Sequence, residues 1–134
     1  MVKKPRIFMV DDDEDLLMIT KLVLEAAGYE FASARSGEEA MGKMGEVNPD
    51  LVILDVMMED DYAGFRVVNA LRADEKLARF SKVPILMLTS VQKHTKMKFA
   101  KDAGTGLLPV ECFLEKPVKP ADLVAKVSEL LKKA

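Results

Sequence analysis

Four short apolar runs, each leading into a polar or charged residue, constrain this chain more than any other feature. Ile7-Phe8-Met9-Val10 is followed by Asp11, Asp12 and Asp13, and Leu51-Val52-Ile53-Leu54 by Asp55. Ile85-Leu86-Met87-Leu88 is followed by Thr89, and Cys112-Phe113-Leu114 leads to Lys116. Runs this short and this apolar read as strands buried on both faces. Segments of helical period separate them, and that alternation predicts βαβ units around a parallel sheet. Right-handed crossovers make parallel strands point the same way. The polar residues at the run ends therefore meet at one edge, where open α/β sheets bind their ligands.

The helices carry their own punctuation. The first is expected from Asp13 or Glu14 to just before Gly28, a residue suited to a left-handed C′ position. Its inner stripe is read as Leu16, Ile19, Val23 and Ala26. Glu30 to Ala34 is a weaker strand. Ser36 caps a second helix with Glu39 at the capping-box position, and Ala40, Met41 and Met44 face inward. A third helix is expected over about Ala63 to Ala73, carrying Phe65, Val68 and Leu71. The last starts at Pro120, a favoured first helical residue, with Leu123, Val127, Leu130 and Leu131 on one face. Residues 91–112, with two glycines and a proline, show weak helical period and read as an irregular helix region followed by loop.

At 134 residues the chain is about one domain in length. Apolar residues make up 49% and charged residues 31%, a globular balance. The net charge of −2 offers no general attraction for nucleic acid, so no direct nucleic-acid contact is expected. No apolar stretch approaches the roughly 20 residues that span a membrane, and the opening Met1-Val2-Lys3-Lys4-Pro5 lacks a secretory pattern. A cytoplasmic protein without membrane contact is the expectation. The lone cysteine, Cys112, reads as a buried structural thiol.

Taken singly, each strand-end residue has an ordinary explanation. An Asp run before a helix is commonly an N-cap, Asp55 a loop cap, Thr89 a turn residue and Lys116 a solvated lysine. Their joint placement changes the reading. Clustered carboxylates repel one another unless a cation neutralises them. Oxygen-only ligands with open positions favour Mg²⁺. A lysine and a hydroxyl nearby complete a pocket for a dianionic group. Phosphoryl transfer needs such a set: a nucleophile, a divalent metal and donors for the equatorial oxygens.

With these residues in place the chain resembles the receiver domain of two-component response regulators, of the single-domain, CheY-like kind. The resemblance rests on Met9-Val10-Asp11-Asp12-Asp13, Asp50-Leu51-Val52-Ile53-Leu54-Asp55-Val56-Met57-Met58, Met87-Leu88-Thr89-Ser90 and Phe113-Leu114-Glu115-Lys116-Pro117, and spans nearly the whole chain, 1–134, as one receiver domain. It implies a flavodoxin-like (βα)5 doubly wound parallel sheet of strand order 2-1-3-4-5. It implies Asp55 as phosphoacceptor, attacking a phosphohistidine of a sensor histidine kinase or histidine phosphotransfer protein. Mg²⁺ or Mn²⁺ would be held by Asp12, by Asp11 directly or through water, by Asp55 and by the Met57 carbonyl. Lys116 would pair with the Asp55 carboxylate or the phosphoryl oxygens. Thr89 would bond the new phosphoryl group, and Phe113 would turn inward as the switch that alters binding of a downstream protein. The Lys116–Pro117 bond would be cis. A plain core aromatic is the alternative for Phe113. On this reading the protein is a signalling phosphoacceptor, catalysing only its own Mg²⁺-dependent phosphorylation and dephosphorylation.

Two stretches depart from the family pattern. Glu59 stands where a proline is usual, and the loop Glu59 to Gly64 is about one residue longer, bringing three acids toward the metal site. The region 91–112 replaces a regular alanine-rich helix with a segment carrying Lys93, His94, Lys96, Lys98 and Lys101. Both read as solvated loops, with kinase docking or an acidic partner as the functional alternatives. A haloacid-dehalogenase-like phosphatase would need a second acid two residues after the nucleophile, where Met57 stands. An unphosphorylated pseudo-receiver would lack one of the key residues. The chain ends read as a standalone receiver, the alternative being an excised receiver of a larger regulator.

Overall fold

The computed structural model describes residues 4–55, 67–71, 83–90, 112–116 and 118–133, with residues 89, 90, 112, 113, 115, 116 and 133 described by their backbone alone. Five parallel strands form one sheet: β1 (Arg6–Val10), β2 (Glu30–Ala34), β3 (Leu51–Asp55), β4 (Ile85–Ser90) and β5 (Cys112–Lys116), in the order β2-β1-β3-β4-β5. Helices α1 (Glu14–Ala26), α2 (Gly37–Val47), α3 (residues 67–71) and α4 (Pro120–Lys133) flank it. The parallel sheet is the one expected from the alternating runs, and its order is the flavodoxin-like, doubly wound one that the receiver resemblance implies. Of the irregular helix region expected at 91–112, only Cys112 is described, as the first residue of β5; residues 91–111, the acidic loop from Glu59, Phe65 and both ends of the expected third helix lie outside the described residues.

Strand alternation sorts the core into two layers. Phe8, Val10, Val52 and Leu54 face one side and pack with Ala40, Met44 and Val47 of α2 and with Val67, Val68 and Leu71 of α3. Ile7, Met9, Leu51 and Ile53 face the other and meet Leu17 and Leu24 of α1 and Leu123, Val127 and Leu130 of α4. All five residues of β3 are buried, as a central strand covered on both faces must be. Met41 and Leu131 are half-buried at the margins of these layers.

Helix α1 corrects one expectation. Its buried residues are Leu17, Thr20 and Leu24, not Leu16, Ile19, Val23 and Ala26. Leu16 and Val23 are half-buried, Ala26 is exposed and Ile19 is 55% exposed. The helix bears apolar residues on both flanks, so period alone does not choose which flank meets the sheet. The true inner stripe contains a threonine, which lowers its apparent hydrophobicity.

The helix ends follow the capping chemistry. Asp13 accepts from the Leu16 N–H at 3.1 Å and caps α1, and Ser36 accepts from the Glu39 N–H at 3.0 Å and caps α2. Gly28 sits at φ +98° after α1. The Gly28 N–H donates to the Glu25 carbonyl and the Tyr29 N–H to the Leu24 carbonyl, both at 3.1 Å. These two bonds make a Schellman closure that turns the chain into β2.

Candidate metal and phosphoryl site

Three carboxylates gather at the carboxyl ends of β1 and β3. Asp11 follows β1, and its N–H donates to the Ala34 carbonyl at 3.0 Å, carrying the ladder one residue past the strand. Its Oδ1 accepts from the Asp13 N–H at 3.0 Å. That side-chain turn swings the backbone out of the sheet and into α1. Asp13 is then committed to capping the helix, and Asp12, exposed, stands between them. Asp55 is the last residue of β3. Val10 pairs with Leu54, so Asp55 lies alongside Asp11 at the sheet edge.

Side-chain oxygens of Asp11, Asp12 and Asp55 all lie within 4.8 Å of one another. Asp11 is fully buried and Asp55 is 7% exposed. Two like charges at that spacing repel by roughly 3 kcal/mol at an effective dielectric of about 20. A cation placed among these oxygens would relieve that repulsion. The donors suit a hard divalent ion. Asp11, Asp12 and Asp55 would each offer one carboxylate oxygen to such an ion.

The register places the other candidates along the same edge. Asp55 pairs with Leu88, and Thr89 is the next residue of β4. Thr89 pairs with Glu115, and Ser90 with Lys116, the last residue of β5. Thr89 and Lys116 thus reach the carboxyl edge by backbone position. Phe113 pairs with Met87, deeper in the sheet. Met57 and Pro117 lie outside the described residues. One charged pair at this edge went unnoticed in the sequence: Arg35 Nη1 lies 2.9 Å from Glu14 Oε1, tying the end of β2 to the start of α1. Nothing local in the sequence signals it, because it depends on β2 lying beside β1.

Residues 7–128 match the family model described as the response regulator receiver domain. The chain belongs to the response regulator receiver family. It is 34% identical over 130 residues to the DNA-binding response regulator MtrA of Mycolicibacterium paratuberculosis, covering 97% of this chain and 52% of that protein. It is 33% identical over 129 residues to the alkaline phosphatase synthesis transcriptional regulatory protein PhoP of Bacillus subtilis, covering 96% of this chain and 49% of that protein. This receiver spans about half the length of the curated relatives it matches. Among solved structures, a response regulator from Chloroflexus aurantiacus superposes with a TM-score of 0.80 at 32% identity, covering 97% of this chain and 99% of that one. The chemotaxis response regulator CheY4 of Vibrio cholerae superposes with a TM-score of 0.79 at 29% identity, covering 96% and 99%.

Receivers of this family are signalling phosphoacceptors of two-component systems, modified on an aspartate, and are not enzymes of the usual kind. Their partners are histidine kinases or phosphotransfer proteins. The acidic cluster of this chain could hold a metal ion. Among the described residues, no helix is long and apolar enough to cross a membrane.

Proposed function

We propose that Asp55 is the phosphoacceptor of this receiver, taking its phosphoryl group from a phosphohistidine of a sensor histidine kinase or phosphotransfer protein. A carboxylate oxygen of Asp55 attacks phosphorus, the P–N bond to the donor imidazole breaks, and its electron pair returns to the imidazole nitrogen. An acyl phosphate remains on Asp55. The observation that carries this reading is the gathering of the Asp11, Asp12 and Asp55 oxygens within 4.8 Å at the sheet edge.

Asp11, Asp12 and Asp55, with the Met57 carbonyl, would hold Mg²⁺ (or Mn²⁺), which neutralises phosphoryl oxygen charge when bound. Asp11 is buried and Asp12 exposed, so Asp12 would be the ligand on the solvent side. Lys116, at the end of β5, supplies an ammonium to the Asp55 carboxylate or to the phosphoryl oxygens. Thr89, one residue beyond the register partner of Asp55, donates its hydroxyl to the new phosphoryl group. The modification adds about 1.5 to 2 negative charges and three acceptor oxygens. Those acceptors draw Thr89 inward only in the modified state, and Phe113 fills the space vacated. Charge at the edge thereby becomes shape on the surface that a downstream protein reads. The receiver acts as one domain over the whole chain and returns to rest by hydrolysis of its own acyl phosphate.

Incubation with a small-molecule phosphoryl donor and Mg²⁺, followed by intact-mass measurement, tests this reading. The chain is expected to gain one base-labile phosphoryl group, and folded Asp55→Ala none. Retention of the group by Asp55→Ala would move the acceptor elsewhere. An intact chain that takes up no phosphoryl group would be an interaction module of receiver fold.

A further inference from the structure

Asp13 serves two neighbours at once. Its Oδ1 accepts from the Leu16 N–H at 3.1 Å and its carbonyl accepts from the Leu17 N–H at 3.0 Å, which closes the first turn of α1. Its own N–H donates to Asp11 Oδ1 at 3.0 Å. That last bond has no counterpart at the start of α2. Ser36 caps α2 through the Glu39 N–H, but the residue two before it is Ala34, whose methyl accepts nothing. At α1 the residue two before the cap is Asp11, fully buried and one of the three carboxylates gathered at the sheet edge.

The cap and the bond to Asp11 depend on each other through the backbone of residue 13. A side-chain cap requires an N-cap residue in the extended region, and Asp13 is held there at φ −87° and ψ 101°. On the other side of the turn, the Asp11 N–H is anchored on the Ala34 carbonyl at 3.0 Å. With both ends fixed, the Asp13 N–H stays aimed at Asp11 Oδ1. A carboxylate held by such a bond offers its oxygens to an ion in one arrangement rather than several. Resting on the metal reading above, we propose that Asp13 is a positioning residue: by capping α1 it keeps its N–H on Asp11, and so orients the buried carboxylate that receives Mg²⁺ directly or through water. Asp13 acts through Asp11, its own Oδ1 being engaged by the Leu16 N–H.

Substitutions at residue 13 separate this role from a contribution of charge and from a plain helix cap. Asp13→Asn and Asp13→Ser remove the charge but keep a capping oxygen, whereas Asp13→Gly and Asp13→Ala remove both. Glycine is itself a fair N-cap residue, so Asp13→Gly loses the capping side chain at little cost to folding. The readouts are amide hydrogen exchange at residue 13 without metal and Mg²⁺ affinity by titration calorimetry, with core amides reporting folding. Asp13→Asn and Asp13→Ser should keep the residue-13 amide protected and the affinity close to the parent's. Asp13→Gly and Asp13→Ala should lose that protection and bind Mg²⁺ about tenfold or more weakly, as when the hydrogen-bond partner of a metal ligand is removed. Equal weakening in all four variants would make Asp13 a source of charge alone and overturn the proposal. So would Asp13→Gly and Asp13→Ala variants that lose protection at residue 13 yet bind Mg²⁺ like the parent, since only a helix cap would remain. A parent that binds no Mg²⁺ would instead defeat the metal reading itself, and the positioning role with it.

Discussion

The two ends of the same sheet handle charge in opposite ways. At the amino ends of the strands, Arg6 is surrounded by acceptors. Its Nη2 lies 3.0 Å from Glu30 Oε1, its Nη1 donates to the Val47 carbonyl at 2.6 Å, and its N–H donates to Asp50 Oδ2 at 2.8 Å. At the carboxyl ends, three carboxylates share a space under 5 Å across, two of them buried. The first arrangement binds β1, β2 and α2 into one frame. The second concentrates like charge where a divalent ion and a phosphoryl group would be received. Holding charges of one sign together costs stability, and the well-matched contacts at the opposite end help the fold to bear it.

The largest effect on Mg²⁺ binding should come from the crowded end. Asp12→Asn removes one charge from an exposed position and leaves the helix cap on Asp13 intact. In chelator the variant should be at least as stable as the parent, since repulsion falls. With Mg²⁺ at about 100 times its dissociation constant the parent should gain about 2.7 kcal/mol. A tenfold or greater loss of affinity would cut that gain by about 1.4 kcal/mol. Denaturant melts with and without Mg²⁺ measure both quantities. An unchanged Mg²⁺ gain in Asp12→Asn would place the ion elsewhere.

At the matched end the sign reverses. Arg6→Met keeps an apolar stem but removes the ion pair with Glu30 and the bond to the Val47 carbonyl. The Arg6 side chain is 28% exposed and that of Glu30 41% exposed, so solvent already weakens the pair. A loss of about 1–2 kcal/mol is expected, mostly from the charged hydrogen bonds. The gain on adding Mg²⁺ should match the parent's. A variant that lost stability and Mg²⁺ affinity together would show that the two ends are coupled through β1, which runs from one to the other.

How much of this was legible in the sequence differs along the chain. The strands were readable because β1, β3 and β4 are buried on both faces, and only continuous apolar runs satisfy that. The acid cluster was readable because strand direction alone brings Asp11, Asp12 and Asp55 to one edge. The face of α1 was not. Leu16 to Ile19 is apolar throughout, so a stripe through Ile19 and one through Leu17 fit the period equally, and packing against β1 and β3 decides between them. The Arg35–Glu14 contact was also hidden, since it joins elements whose proximity depends on sheet order. Met18, Ile19 and Leu22 remain 65%, 55% and 64% exposed, the consequence of a helix with more apolar residues than one buried face can use.

Helix α1 links the two ends, since it begins at the acid loop and closes at Gly28 beside the amino end of β2. Gly28→Ala therefore separates global stability from the site by the smallest change. Apart from residue 28 itself and its two chain neighbours, no atom lies within 4 Å of where the new Cβ would stand, so crowding by packed neighbours is not the issue. The backbone is: at φ +98° an L side chain meets its own carbonyl, a penalty of about 1–2 kcal/mol. The cost is softened if the chain relaxes, but relaxation would break the Tyr29 N–H bond to the Leu24 carbonyl that aims the chain into β2. Thermal melts should show the loss, hydrogen exchange should localise it to the last turn of α1 and to Tyr29, and Mg²⁺ titration should be unchanged. Exchange quickening instead at Asp13 to Leu17, with weaker Mg²⁺ binding, would mean that strain at one end of α1 reaches the carboxylates at the other.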